Sequence, residues 1–270
     1  MNILVTLDRN YLPPLRVMLT SLLANAPGET FDVYLIGDGL TAEDLRSLEE
    51  LLAPRGRLHS VEVSEGLFDG APVARYWTRA MYYRLLAAEL DRVLYLDPDI
   101  LVINPVRPLY ETDLAGDLMA AATHTGLLAG ITDPMNRLRL ENYEAEAYYN
   151  SGVLLMDLEA MRREVRPADI FDYAREHADI LLLPDQDILN GLYGGRILGV
   201  DDSLWNYDAR RFDRYLLTSQ GMKDMDWVMG HTAILHFCGK RKPWQRSYQG
   251  RFAALYKHYQ HLADRQLPPL

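Results

Sequence analysis

The stretch Val93-Leu94-Tyr95-Leu96-Asp97-Pro98-Asp99 is an apolar run that ends on two carboxylates one residue apart. Its length and composition predict a buried strand, which places Asp97 and Asp99 where that strand leaves its sheet. In an open α/β sheet, ligands bind at that edge. Two carboxylates there repel each other and lose hydration unless a cation sits between them, and hard oxygen donors suit Mg²⁺ or Mn²⁺. One reading is therefore a divalent metal that carries a phosphorylated substrate. The other is a strand followed by an Asp-Pro turn with a helix-capping Asp. Asp-X-Asp alone fits both.

Upstream of this stretch, strand-type and helix-type patterns alternate. Ile3 to Leu7 reads as a strand, and Leu12, Leu15, Leu19, Leu22 and Leu23 follow at helical spacing until Ala-Pro-Gly at 26–28. Phe31 to Ile36 reads as a second strand, and Thr41 as the cap of a helix with Leu45, Leu48 and Leu52 on one face. Val61 to Val63 is the expected third strand and Arg75 to Leu90 a longer helix. Alternation of this kind predicts an α/β fold with a mostly parallel sheet and helices on both faces. Downstream, strands are expected at Leu118 to Thr123, Gly152 to Met156, Arg196 to Val200 and Ala233 to Phe237. Helices are expected at Pro167 to His177, Asp185 to Leu192 and Gln249 to Leu262. No repeat, low-complexity stretch or composition break marks a linker, so the expectation is one domain over residues 1–270.

Composition narrows the function classes. The chain has 270 residues, 49% hydrophobic and 24% charged, ordinary values for a globular protein with a substantial core. A formal charge of -10 argues against nucleic acid and against a strongly basic membrane-surface protein, because both depend on clustered Lys and Arg. The single cysteine, Cys238, excludes an internal disulfide and a multi-cysteine zinc site. No apolar run is long enough to span a bilayer, and a strand that begins at Ile3 leaves no room for a signal peptide. The expected location is cytoplasmic.

Six motifs follow one another along the chain: Thr6-Leu7-Asp8-Arg9-Asn10-Tyr11, Tyr83-Arg84-Leu85, Leu94 to Asp99, Tyr149-Asn150-Ser151-Gly152-Val153, Pro184-Asp185-Gln186-Asp187-Ile188-Leu189-Asn190, and His236-Phe237-Cys238-Gly239-Lys240-Arg241-Lys242-Pro243-Trp244. In this order they resemble glycosyltransferase family 8, which includes bacterial lipopolysaccharide galactosyl- and glucosyltransferases and glycogenin. The resemblance implies a GT-A, Rossmann-like fold with a nucleotide-binding half (1–100), a donor-sugar and acceptor half (101–245) and a C-terminal helix (246–270). It also implies a UDP-glucose or UDP-galactose donor, Mn²⁺ or Mg²⁺, and transfer with retention at the anomeric carbon. The acceptor class is a saccharide, glycolipid or glycoprotein. Some lipopolysaccharide-modifying relatives carry a basic, aromatic membrane tail; here a mixed-charge helix ends in Leu-Pro-Pro-Leu, which argues against a lipid-linked acceptor, while peripheral membrane contact stays open. The join from Leu85 to Asp91 is also tighter than in many relatives.

By this resemblance Asp8 and Asn10, with the Thr6 backbone beside them, contact the uridine; without the other motifs the residues alone favour a loop Asp and an N-cap Asn. Asp97, Asp99 and His236 are the implied metal ligands. An imidazole among carboxylates makes a mixed N/O site that suits Mn²⁺ better than Mg²⁺, although a strand-end His also serves structure alone. Gly239 lets the backbone approach a ligand, and Lys240, Arg241 and Lys242 form the one basic island of an acidic chain. The family places the Lys before Pro-Trp, Lys242, on the diphosphate. Cys238 is expected buried and inert. Asp185 is implied to bind sugar hydroxyls and Gln186 to lie under the anomeric carbon, both free at the start of their helix; a simple cap is the other reading of Asp185. Arg84 and Asn150 are the remaining sugar contacts, with Arg84 also stabilising charge on the departing diphosphate.

Retention requires either a covalent sugar intermediate or attack from the face the diphosphate leaves. Gln186 is an amide and a poor nucleophile, so same-face attack is the expected course. Lys242 and the metal then stabilise leaving UDP, and its β-phosphate oxygen takes the acceptor proton. Asp185 as a nucleophile is the minority course. Other classes share single features with this chain. A haloacid-dehalogenase-type phosphatase would use Asp97 and Asp99 with Asp201-Asp202 as a second acidic pair, but its nucleophile belongs on the first strand. A noncatalytic sugar-nucleotide module would be expected to lack Asp99, Asp185 or His236. A dinucleotide-binding domain lacks its Gly-X-Gly-X-X-Gly here.

Overall fold

The computed structural model describes residues 1–60, 90–123 and 147–266. Ten strands lie within these stretches: β1 (Asn2–Asp8), β2 (Phe31–Asp38), β3 (Gly56–Ser60), β4 (Arg92–Leu96), β5 (Ile100–Val102), β6 (Met119–Thr123), β7 (Tyr149–Asp157), β8 (Ile197–Val200), β9 (Tyr207–Asp208) and β10 (Ile234–His236). The chain forms two compact units, each assembled from separate stretches of sequence. One comprises Met1–Ser60, Leu96–Glu111 and Asp201–Leu270, and the other Val61–Tyr95 and Thr112–Val200.

In the first unit β1, β2 and β3 run parallel, with Asn2 opposite Asp32 and Phe31 opposite Gly56. Ile3, Leu4 and Val5 are fully buried, as expected of a strand covered on both faces. The helix Leu12–Asn25 is buried on nearly every side, which suits its apolar sequence. It anchors the strand that follows the two aspartates: Asn25 Nδ2 donates to the Val102 carbonyl at 3.0 Å, and the Val102 N–H donates to Ser21 Oγ at 3.0 Å. Thr41 caps the helix Ala42–Leu52 in a reciprocal box with Asp44. The buried face is Leu48, Leu51 and Leu52, and Leu45 is only partly covered, so the apolar stripe lies further round the helix than expected.

A second, three-stranded sheet belongs to the same unit. β10 lies at its centre, antiparallel to β5 and parallel to β9. The histidine strand thus pairs with the strand leaving Asp99, in a sheet of its own that strand periodicity does not distinguish from the main one. Behind it Tyr207, Phe237, Phe252 and Tyr256 fill an aromatic core.

The second unit carries β4, β7, β6 and β8 in that order. β6 is antiparallel to β7, with a bulge between Ala121 and Thr123, and parallel to β8. β7 begins at Tyr149, three residues earlier than expected, so Asn150 sits at a strand entry beside the exit of β6. The expected helices appear as Pro167–Glu176 and Pro184–Tyr193. In the first unit the last helix is Ala253–Gln266; it starts after Gly250, a poor helix former. The expected strand at Val61 to Val63, the helix from Arg75 up to 89, and Arg84 lie outside the described residues.

Candidate functional site

Pairing in the small sheet creates the first cluster of polar side chains. β5 starts one residue after Asp99, and His236 lies directly opposite Ile100. The Phe237 N–H donates to the Asp99 carbonyl at 3.0 Å, which fixes the two strand ends side by side. His236 Nε2 then lies 3.3 Å from Asp99 Oδ1 and 3.8 Å from Asp97 Oδ2. The three groups offer ligand atoms that all fall within 4.8 Å of one another, close enough to share one metal ion. Asp99 and His236 are buried and Asp97 is partly covered. On the other side of the ring, His236 Nδ1 lies 2.8 Å from Asn206 Oδ1.

Lys242 joins the same cluster. Its Nζ is ion-paired with the second oxygen of Asp99 and donates to the Phe237 carbonyl at 3.0 Å. Lys240 and Arg241 are exposed, so the basic island divides into one buried cation and two solvated ones. Burial pushes the Asp99 carboxyl up, but His236 and Lys242 outweigh it and hold the group well below the ordinary carboxylate range. Burial likewise pushes Lys242 down, and Asp99 more than offsets this. His236 is raised well above its ordinary value, since its acidic neighbours, with Cys238 and Asp99 foremost, overcome the effect of burial. Gly239 adopts φ +86°, and a Cβ there would run into the guanidinium of Arg210. The left-handed backbone is what calls for glycine, since the arginine tip can move aside. Cys238 is half-buried rather than buried, because it lies in the loop beyond the strand end.

At the end of β1, Asp8 accepts from the Asn10 N–H at 2.7 Å and caps a short turn, so the capping residue is Asp8 and Asn10 is exposed. Thr6 is buried in β1. Tyr11 packs edge-on against Trp244 with ring centroids 5.8 Å apart. Its phenol is raised chiefly by burial, with Lys242 lowering it and Asp99, Asp8 and Asp97 raising it further.

The second unit builds a separate cluster on the helix Pro184–Tyr193. Asn190 receives the Tyr149 N–H at 2.7 Å and donates to the Tyr149 carbonyl at 2.8 Å, so it docks the helix onto the first residue of β7. That register brings Asn150 Nδ2 to Gln186 Oε1 at 3.1 Å and Ser151 Oγ to Asp185 Oδ2 at 2.9 Å. Gln186 is 4% exposed, not free as expected, because its turn of helix faces β7. Its Nε2 has no hydrogen-bond partner among the described residues, a costly state for a buried donor. Asp185 is not the helix cap either. Asp187, fully buried, accepts from the Leu182 and Leu183 N–H groups at 2.7 and 2.9 Å and from the Tyr148 hydroxyl at 2.6 Å.

Sequence reasoning singled out Asp97, Asp99, His236 and Lys242, which the fold brings together, and Asn150, Asp185 and Gln186, which it also brings together. It missed Asn206, Asp187 and Tyr11. Tyr11 and Asp187 stand inside motifs already quoted, whereas Asn206 lies outside them and carries no local signal of its contact. Asp201 and Asp202 are used internally: Asp201 accepts from the Ser203 N–H and hydroxyl at 2.8 and 2.6 Å, and Asp202 from the Tyr215 hydroxyl at 2.9 Å. The phosphatase reading loses its second acidic pair, and among the described residues β4 follows three other strands.

Comparison with known proteins bears on the fold and the family. Over 274 residues the chain is 29% identical to General stress protein A of Bacillus subtilis (strain 168), covering 96% of this chain and 92% of that protein. It is 26% identical to the lipopolysaccharide 1,2-glucosyltransferase of Escherichia coli (strain K12), over 91% of this chain and 73% of that one. The crystal structure of the galactosyltransferase LgtC in complex with donor and acceptor sugar analogues superposes with a TM-score of 0.80 at 26% identity, covering 100% of this chain and 97% of that one. The fold is accordingly that of the GT-A glycosyltransferases. The profile described as Glycosyl transferase family 8 matches residues 2–247, and the chain belongs to that family of glycosyltransferases.

Proposed function

We propose that the protein transfers a hexose, glucose or galactose, from UDP-glucose or UDP-galactose to a saccharide, glycolipid or glycoprotein acceptor, with Mn²⁺ or Mg²⁺ bound and with retention of configuration. The observation that carries this reading is the convergence of Asp97, Asp99 and His236 within 4.8 Å, beside a buried lysine. Two carboxylates and an imidazole fit a divalent cation, and Mn²⁺ accepts the nitrogen ligand more readily than Mg²⁺. The bound ion would neutralise charge on a diphosphate.

The remaining chemistry falls to the protein's own groups. Lys242 contributes a cation for the leaving diphosphate, and the exposed Gly239 gives close access to its backbone N–H. Asp8, Asn10 and the Thr6 backbone take the uridine. Asp185 and Asn150 hold sugar hydroxyls, and the unpartnered Nε2 of buried Gln186 supplies a hydrogen bond that a sugar oxygen would satisfy. Arg84, from the family pattern, stabilises the departing charge. The acceptor hydroxyl attacks on the face the diphosphate leaves and gives its proton to the β-phosphate oxygen. Residues 1–270 act as one catalytic domain in the cytoplasm, with membrane contact at most peripheral. No helix among the described residues is long and apolar enough to cross a membrane.

The test is a screen of UDP-sugars for hydrolysis with Mn²⁺ and no acceptor, run alongside binding of UDP by calorimetry. Turnover of UDP-glucose or UDP-galactose, lost in EDTA and in Asp99→Ala, is expected. Tight UDP binding without turnover of any sugar would instead support a noncatalytic module.

A further inference from the structure

We propose that Asn206 is a positioning residue for the metal-binding imidazole: its side-chain carbonyl holds His236 in the tautomer that leaves Nε2 free for a divalent cation. The inference rests on the metal reading of Asp97, Asp99 and His236. A ring nitrogen can bind metal only if it carries no proton. Nε2 is the nitrogen that faces the carboxylates, 3.3 Å from Asp99 Oδ1 and 3.8 Å from Asp97 Oδ2. Nδ1 faces the other way, 2.8 Å from Asn206 Oδ1. An amide oxygen accepts and cannot donate, so this contact requires the proton on Nδ1. The neutral ring has one such proton, and Nε2 then presents its lone pair to the two carboxylates. The opposite amide orientation would set an N–H against Nδ1, put the ring proton on Nε2 and block ligation.

The fold holds Asn206 to this task. Its backbone N–H donates to the Asp202 carbonyl at 3.0 Å and closes the short helix Asp202–Trp205. β9 begins at the next residue, with Tyr207 opposite Leu235 and Asp208 opposite His236. The Ala209 N–H donates to the His236 carbonyl at 3.0 Å and locks that register. Asn206 is 6% exposed and His236 4%, so water cannot readily take the place of the amide. Partners of this kind on the far nitrogen orient metal-bound histidines and raise their basicity.

The experiment titrates Mn²⁺ into the full chain by electron paramagnetic resonance and compares wild type with Asn206→Leu and Asn206→Asp. Circular dichroism melts check the fold of each. Asn206→Leu should bind Mn²⁺ about 10- to 100-fold more weakly, the usual loss when such a partner is removed. Asn206→Asp keeps an acceptor on Nδ1 and should bind at least as tightly as wild type. A folded Asn206→Leu that binds within twofold of wild type, or an Asn206→Asp as weak as Asn206→Leu, overturns the proposal. A second readout needs no variant: nitrogen-15 spectra of histidine in the Mg²⁺-loaded wild type should show His236 protonated on Nδ1, and a proton on Nε2 overturns the assignment even if Asn206→Leu fails to fold. Wild type that binds no Mn²⁺ overturns the inference together with the metal reading, whereas wild-type binding that Asn206→Leu leaves intact overturns the inference alone.

Discussion

Removing the Lys242 ammonium tests the electrostatic design of the site most directly. In Lys242→Ala, the buried Asp99 carboxylate loses its ion-pair partner and the Phe237 carbonyl loses a donor at 3.0 Å. Stripping one partner from a buried pair typically costs about 3 to 5 kcal/mol, because the other charge is left in a poor environment. His236 still stands 3.3 Å from Asp99 and compensates in part, so the lower end, about 3 kcal/mol, is the appropriate figure. For a chain of this size that is a fall in melting temperature of roughly 6 to 12 °C in EDTA. Added Mn²⁺ should then restore more stability to the variant than it adds to wild type, since in wild type the ion competes with an ammonium already on Asp99. Turnover of the proposed UDP-sugar donor, measured with Mn²⁺ saturating, should fall by about 10- to 100-fold, the worth of one charge-assisted hydrogen bond. Lys240→Ala, at an exposed position, serves as the control and should change neither quantity. The reasoning fails if Lys242→Ala melts with wild type in EDTA, or if Lys240→Ala loses as much activity.

Gly239→Ala should destabilise by about 1 to 3 kcal/mol, because it forces a left-handed backbone on alanine and drives Cβ toward Arg210; denaturant melts check the size, and adding Arg210→Ala should recover the steric share alone. Asp44→Ala should cost about 1 kcal/mol at neutral pH by breaking the capping box. The Asp44 carboxyl is held below its ordinary value of 3.8, first by the Thr41 backbone N–H, so its contribution is complete above that value and fades as pH falls through the lower folded value; urea melts of the pair should converge in acid. The product linkage should keep the α configuration of the donor by NMR. Asp185→Asn should harm turnover more than Gln186→Ala, and mass spectrometry of the quenched enzyme should show no hexose esterified to Asp185.

How far the sequence could be read depended on the range of the interactions. Periodicity finds the helix Leu12–Asn25 and the strands β1, β2 and β4, because burial of these elements is written into consecutive residues. Asp97 and Asp99 were legible as a pair because only Pro98 separates them. Three-residue β5 was not, since a short apolar run after an Asp-Pro-Asp turn has no period to detect. The pairing of Lys242 with Asp99 spans 143 residues and depends on β10 entering a different sheet from β4. Only the family pattern gave Lys242 a role in advance, and it did not disclose Asp99 as its partner. Gln186 illustrates the opposite error: helical spacing put Ile188, Leu189 and Leu192 on the core face and left Gln186 outside. The polar face is covered too, because Asn190 docks it on the first residue of β7.

The two acids explain why so much of the first unit is organised around Asp99. Asp97 and Asp99, one residue apart in the turn between β4 and β5, repel each other, and Asp99 is also taken out of water, so each added cost must be met by a specific partner. The small sheet meets it by register. β5 leaves Asp99, β10 returns antiparallel to end at His236 opposite Ile100, and the loop beyond carries Lys242 back onto the same carboxylate. A lysine placed this way does two jobs that a surface lysine cannot. It keeps the acid ionised in a buried setting, and it stands beside the ligand cluster where a diphosphate would need a cation. Moving it to a solvated position such as 240 would preserve the net charge and lose both effects, since interactions between exposed charges are weak and screened. Local placement, and not the number of basic residues in the island, therefore sets which of its three cations matters.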